Sequence, residues 1–139
     1  MPVDTQLVAY FDSQPSITDD PSANPPSLIE GPMPELPDNC VAVTHYGSEQ
    51  GEEYVMGASL SEPGYEIENV QVMVRHTAKA TAQSKAQAYH SLLDNLGPTT
   101  LSGVLFSHVD SDGVPYCLGQ DANERWRYVA NYRVRKARG

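Results

Sequence analysis

The first 74 residues of this 139-residue chain contain no lysine or arginine. They hold thirteen Asp or Glu residues, whereas residues 75–139 hold five acids and all nine bases. Nucleic-acid binding needs a concentrated positive surface, so a net charge of −9 argues against it as the main activity. Two oppositely charged halves in one small chain instead indicate self-association or a charged protein partner.

Long apolar runs and cysteines are also scarce. No run approaches the roughly 20 residues that span a bilayer, and the start of the chain lacks the basic region of a signal peptide. We therefore expect synthesis as a cytosolic protein and no membrane partner. Cys40 and Cys117 are too few for a disulfide framework and lack metal-ligand spacing, so free buried thiols on strands are expected.

The usual motifs of enzymes are absent as well. The sequence has no glycine-rich phosphate loop, no Gly-x-Ser-x-Gly elbow and no His-Glu-x-x-His pair, and its four histidines lack metal-ligand spacing. The stretch DSDGVPYCLGQD departs from a calcium loop because Pro115 replaces the glycine required at its sixth position. No catalytic residue, cofactor or metal is predicted.

Proline is concentrated at one end, with eight of the eleven prolines in residues 1–38. Because proline fixes φ and removes a backbone donor, most of this segment is expected to be extended or coiled. Leu7, Val8 and Phe11 fall on one face of a predicted short helix around 4–13. The predicted organisation is an N-terminal segment, 1–38, with a short helix and a Pro-rich extended arm, followed by an α+β domain, 39–139.

Two alternating valine patterns predict strands, NCVAVTHY at 39–46 and NVQVMVRH at 69–76. Residues 47–68 hold four glycines and six acids and predict a long exposed loop, which in a compact domain is usually functional or disordered. Apolar residues at three- and four-residue steps then predict one main helix, capped by Thr77 and ended by Gly97-Pro98.

Three more strands are predicted after the helix. They lie at 101–109, near 115–118 and at 125–136, with turns at 110–113 and 120–124. The predicted fold class is α+β: a mostly antiparallel sheet of four to five strands with one main helix packed on one face. On the last strand, alternation places Arg127, Val129, Asn131, Arg133 and Arg135 on one face.

Three stretches, in their order and spacing, resemble the tail terminator (tail completion) proteins of long-tailed phages. They are LPDNCVAVTHYGSE, VQVMVRHTAKATAQSKAQAYHSLLDNL and YCLGQDANERWRYVANYRVRK. The most specific parts are Pro37-Asp38-Asn39, the valine-rich strand that ends in Arg75, and Leu118-Gly119-x-Asp121 followed by Arg125 and a strand with Asn131. The resemblance covers about residues 36–136, whereas 1–35 depart from the longer helix with which the family usually opens.

This resemblance implies a structural protein without catalysis, located in the neck or tail of the virion after assembly in the host cytoplasm. It implies a homohexameric ring on the head-proximal end of the tail tube, which stops polymerisation of the tube protein and docks the head-tail connector. DNA would pass through the ring without specific binding. Two other classes stay open: another neck component, such as a head-closure or connector protein, and a small α+β ligand-binding domain or enzyme.

A ring of this kind uses heterologous contacts, in which one surface of each subunit meets a different surface of the next. An acidic loop and a basic final strand would supply such a pair. The candidate interface residues are Arg125, Arg127, Arg133 and Arg135 on the strand, and Glu49, Glu52, Glu53, Glu66 and Glu68 in the loop. Two alternatives remain: the strand pairs with acids of its own chain, or the acids form only a solvated face.

Overall fold

The computed structural model of the chain describes residues 2–50, 65–94 and 96–137. Within these residues, two helices and seven strands follow in chain order. They are α1 (Val3–Asp12), β1 (Leu28–Glu30), β2 (Cys40–Gln50), β3 (Tyr65–His76), α2 (Lys79–Leu93), β4 (Thr99–Leu101), β5 (Val104–Ser111), β6 (Tyr116–Gln120) and β7 (Trp126–Ala137). Both helices lie where the spacing of apolar residues predicts them.

The predicted fold class, a mostly antiparallel sheet of four to five strands with one main helix, is wrong. The described residues form a curled, mixed, seven-stranded half-barrel with two helices. One of the unexpected strands, β1, pairs parallel to β2. β1 was not predicted because prolines precede and follow it in the sequence. None of these prolines lies within Leu28–Glu30, so the backbone donors of β1 remain available for pairing.

The other unexpected strand, β4, arises from a turn at Ser102 and Gly103 inside the predicted strand 101–109. Both residues have positive φ, 51° and 79°, and Leu101 pairs directly with Val104. This is the two-residue hairpin turn whose twist matches that of the flanking strands. The chain therefore reverses where the apolar pattern indicates one continuous strand.

β7 is a central strand of the sheet and pairs with three other strands along its two edges. β3 pairs with it over its full length of 12 residues. β5 and β6 pair with it one after the other, both antiparallel. β5 and β6 therefore run in the same direction, and the segment 110–113 between them does not reverse the chain as expected. The turn expected at 120–124 does reverse the chain.

One face of the sheet packs against both helices and forms the core. Its buried residues on β2, β3 and β7 are Val41, Val43, Val70, Val72, Val74, Tyr128, Ala130, Tyr132 and Val134. They alternate along each strand, as the twofold side-chain period of a strand requires. Leu7 and Phe11 of α1 and Tyr89 of α2 join them, and Phe11 meets Tyr89 edge to face with ring centroids 4.8 Å apart.

α2 begins without the expected side-chain cap. Its N-cap residue is Ala78, with no capping hydrogen bond, and the backbone N–H of Thr77 donates instead to Oδ1 of Asn39 at 3.1 Å. The predicted exposed loop 47–68 is wrong at both ends, since β2 continues to Gln50 and β3 begins at Tyr65. Its centre, 51–64, lies outside the described residues. The boundary at residue 38 stays a prediction.

Candidate assembly surface

The face of the sheet opposite the helices is called the outer face here. It is built from alternate residues of β3 and β7 that lie opposite one another in the strand register. The pairs are Arg75 with Arg127, Met73 with Val129, Gln71 with Asn131, Asn69 with Arg133, and Ile67 with Arg135. The predicted alternation on the last strand is confirmed, because residues 128, 130, 132, 134 and 136 of β7 are all buried, whereas four of the five outer-face residues are not.

Residues 31–39, called the crossover segment here, connect β1 to its parallel neighbour β2. A parallel pair requires the chain to return across the sheet, and this segment returns over one end of the outer face. Met33 lies with its sulfur 3.1 Å from Sγ of Cys40, and it lines the same groove as Met73 of the outer face. The outer face is thus covered by irregular chain at this end.

Arg75 holds the crossover segment through four backbone carbonyls. Its guanidinium donates to the carbonyls of Pro34 at 2.7 Å and Pro37 at 2.5 Å, and to those of Glu35 and Asp38 at 3.2 Å. Arg75 is only 4% exposed. A guanidinium carries five donors in a fixed fork, so one side chain can satisfy several carbonyls that have no strand partner.

Arg125 holds the same segment from the start of β7. Its Nη1 donates to the carbonyl of Glu35 at 2.6 Å and to Oδ1 of Asp38 at 3.2 Å. Its Nε donates to Oδ2 of Asp121 at 2.8 Å, and its backbone N–H donates to Oδ1 at 3.0 Å. The backbone N–H and the guanidinium of Arg125 lower the pKa of Asp121 below its usual value. The pair is therefore ionised at neutral pH.

Arg125 lies in a different environment from the other three arginines that were predicted to form an interface. Arg125 is 4% exposed, and its described contacts are with acids and carbonyls of its own chain. This setting matches the alternative in which the basic strand pairs with acids of its own chain. Burial disfavours the charged guanidinium, but hydrogen bonds and charge from Asp121 and its neighbours raise the pKa of Arg125. Arg127 is half-buried, with Nη2 3.5 Å from the carbonyl of Gln120.

Arg133 and Arg135 lie at the other end of the outer face. With Ile67, His108 and Asp110 they line a cavity of about 130 Å³. Arg133 is exposed, and Nε2 of His108 lies 2.6 Å from Oδ1 of Asp110. This end therefore combines an apolar side chain, long aliphatic stems and several charged groups on an accessible surface.

The acids named as interface candidates fall in different places. Glu66 and Glu68 lie in β3 and Glu49 in β2, whereas Glu52, Glu53 and the side chain of Glu49 lie outside the described residues. Glu68 is only 5% exposed. The register places Glu49 opposite Ile67, which itself pairs with Arg135 on the outer face, whereas Glu68 pairs with Val134 on the buried face. The interface role of these acids stays a prediction.

Glu68 belongs to a small cluster with His45 and Ser48. Its Oε2 lies 2.5 Å from Nε2 of His45 and accepts a hydrogen bond from Oγ of Ser48, which itself lies 3.1 Å from the same Nε2. In a hydrolytic triad the nucleophile and the acid contact different ring nitrogens, so this arrangement does not match one. Burial alone would raise the pKa of Glu68, but the hydrogen bond from Ser48 and the charge of His45 help to lower it.

The cysteines are only partly as expected: Cys40 is buried, whereas Cys117 is exposed. Within the described residues, no group of three His, Cys, Asp or Glu side chains is arranged to hold a metal ion. No helix in that part of the chain is long and apolar enough to cross a membrane.

The sequence singled out Arg75 as the end of a strand but predicted no role for it, although its side chain helps to shape one end of this surface. Two signals were available: Arg75 is the first base after 74 residues without one, and it ends a valine-rich strand. Its acceptors could not be inferred, because they lie 37 to 41 positions earlier in an irregular segment.

Comparisons with known proteins agree with the resemblance found in the sequence. A family model described as bacteriophage tail terminator protein matches residues 10–138. No curated protein matches the chain. Among solved structures, a chain from the virion of a native gene transfer agent particle has a similar fold, with a TM-score of 0.57 and 13% identity over 81% of this chain and 79% of that chain. Because the family match spans nearly the whole sequence, the chain belongs to the bacteriophage tail terminator family and is a structural protein of the virion tail.

Proposed function

We propose that this chain forms a homohexameric ring on the head-proximal end of the tail tube. There it stops polymerisation of the tube protein and presents the surface on which the head-tail connector docks. The family match over residues 10–138 is the observation that carries this proposal. The role is structural, and it requires neither a catalytic residue nor a cofactor.

The distribution of charge supports a ring. All nine bases follow residue 74, and thirteen of the eighteen acids precede residue 75. Repeated contacts between unlike surfaces can close into a ring, and complementary charge fixes their register and speeds their formation more than it adds affinity. Arg133, on the exposed end of the outer face, is well placed for such a contact.

Capping requires a subunit with two different ends. A growing tube exposes the surface to which the next ring of tube protein adds, so a terminator must match that surface on one side and differ on the other. This chain has one sheet face covered by helices and another built from arginine, amide and apolar side chains. The helix-covered side of the subunit and the outer face of the sheet therefore offer chemically distinct contacts.

The overall charge also suits a ring through which DNA passes. At a net charge of −9 the subunit repels phosphate on average. Passage without specific binding requires only that the lumen lack a concentrated basic surface.

The capping role is tested by removing this chain from an infection. Capsids should assemble normally, while tails grow beyond their proper length and fail to join heads in electron micrographs. Supplying the intact chain from a plasmid should restore both length and joining. Tails of normal length without the protein would contradict capping and would favour a head-side connector.

Copy number provides a second, independent test. Native mass spectrometry of isolated tails, or a map of the neck, should show this chain as a closed homohexamer at the tube end. A different number of copies would contradict the ring as proposed. A monomer free in solution would not, because the ring can form on the tube.

A further inference from the structure

Leu36 is an exposed apolar side chain on a firmly held piece of backbone. It is 65% exposed, although the carbonyls on both sides of it, at Glu35 and Pro37, accept hydrogen bonds from Arg75. Arg125 also donates to the carbonyl of Glu35. An apolar group that is already fixed in place loses little conformational entropy on binding, which is the property of an interface anchor.

Two acids lie within two positions of Leu36 in the chain, and both reach solvent. The side chains of Glu35 and Asp38 are 80% and 58% exposed. Both carboxylates contact the guanidinium of Arg125, at 3.6 Å and 3.2 Å, but that guanidinium is only 4% exposed. A partner approaching this end of the outer face therefore meets a leucine with acidic neighbours, and it should offer an apolar cavity with a basic rim.

The other end of the same outer face has that character. The cavity of about 130 Å³ is lined by Ile67 and by Arg133 and Arg135, whose aliphatic stems are apolar up to the guanidinium. An engineered cavity of about 150 Å³ holds a benzene ring, so this volume suits the four-carbon side chain of a leucine. The rim also carries Asp110, whose Oδ1 lies 2.6 Å from Nε2 of His108, so the two arginines outnumber the one acid among the lining residues.

These two features cannot meet within one copy of the chain. The crossover segment lies beside Arg127, and the cavity contains Arg135, eight residues further along β7. At about 3.3 Å per strand residue the two lie roughly 26 Å apart. Contact between them requires a second copy.

We propose that Leu36 of one subunit seats in the cavity formed by Ile67, Arg133 and Arg135 of the next subunit. This inference rests on the proposed ring and names its subunit contact. Glu35 and Asp38 then face the two arginines of the neighbour. Each guanidinium has five donors, so it can keep its contacts within its own chain and still bind a second carboxylate.

The contact can be tested by cross-linking on tails assembled with the tube protein, in a chain whose exposed Cys117 is replaced by serine. A chain carrying both Leu36→Cys and Arg133→Cys is treated with a short bis-maleimide. Repeated contact from each subunit to the next should give a ladder of covalent species up to the size of the closed ring. Each single substitution alone should give no ladder.

A matched control chain carries Val114→Cys and Arg133→Cys and keeps Leu36. Val114 is suitable because it is 70% exposed. This chain should not cross-link beyond background. An equally strong ladder from the control would overturn the proposal, as would the absence of a ladder from the test chain present on tails. A product that stops at two copies would also overturn it, because that indicates a twofold contact. Absence of the unsubstituted chain from tails would instead count against the proposed capping.

Charge exchange gives a second readout on the same tails. Glu35→Arg alone and Arg133→Glu alone should each reduce the amount of chain retained on the tube, because like charges then face each other. Glu35→Arg combined with Arg133→Glu should restore retention. The assigned contact is wrong if the double variant is retained on the tube no better than the single variant with the lower retention, while both remain folded by circular dichroism.

Discussion

The guanidinium of Arg75 donates a 2.5 Å hydrogen bond to the carbonyl of Pro37, which lies 38 positions earlier in the chain. This contact links the end of a central strand to an irregular segment that has few hydrogen bonds of its own. One end of the outer face therefore depends for its shape on two buried arginines, with Arg75 donating to four carbonyls of the segment and Arg125 to one. Changes at Arg75 should affect folding first and assembly second.

Arg75→Met should lower the free energy of unfolding by about 3 kcal/mol or more, because at least two hydrogen bonds to a charged group are lost and each contributes about 1.5–3 kcal/mol. Urea denaturation measures this directly. Arg133→Met is the matched control, since it removes the same group from an exposed position and should change stability by no more than about 0.5 kcal/mol. Equal effects of the two substitutions would contradict the clamping role of Arg75.

Tyr89→Phe should destabilise the fold by about 1.5–2 kcal/mol. The hydroxyl of Tyr89 donates to the buried carboxylate of Asp19 at 2.8 Å, and Lys85 donates to its other oxygen at 2.9 Å. Burial and the charge of Asp19 raise the pKa of Tyr89 far above its usual value, so the hydroxyl remains a donor. A lost hydrogen bond to a charged acceptor has about this magnitude. Tyr116→Phe, at an exposed position, should leave the denaturation midpoint unchanged.

Acid should weaken the fold partly through Asp121. Its pKa in the folded chain lies below the usual 3.8, so the unfolded state binds the proton more readily. The stabilisation from this carboxylate is therefore fully present above the pKa of the unfolded state and is lost as the pH falls through the pKa of the folded state. Asp121→Asn should reduce stability at pH 7 and flatten its decline with acid, measured by denaturation at several pH values below 5. An unchanged decline would exclude this contribution.

Charge reversal should separate the four arginines into two groups. Arg125→Glu places a carboxylate beside Asp121 and Asp38 in a buried site and should lower the melting temperature strongly. Arg133→Glu together with Arg135→Glu should leave the melting temperature nearly unchanged while reducing attachment to tails. Normal attachment of the Arg133 and Arg135 double variant in both low and high salt would contradict an interface role for this end of the outer face.

The sequence by itself determined much of the secondary structure. Alternating valines predicted β2 and β3, and spaced alanines and leucines predicted α2, because each pattern matches the period of one regular structure. The arginines of the last strand were placed on one face by the same alternation. The order and spacing of three motifs were enough to identify the family, which the match over residues 10–138 confirms.

Only the tertiary structure decided the number of strands and the roles of the individual charges. β1 has three residues among prolines, and it is a strand because β2 supplies a neighbouring edge, which no local pattern reveals. Arg125 and Arg133 look alike in the sequence, yet one is buried against acids of its own chain and the other is exposed. The difference arises because Arg125 lies under a segment some 90 residues away in the sequence, and such a contact depends on the folded path of the chain.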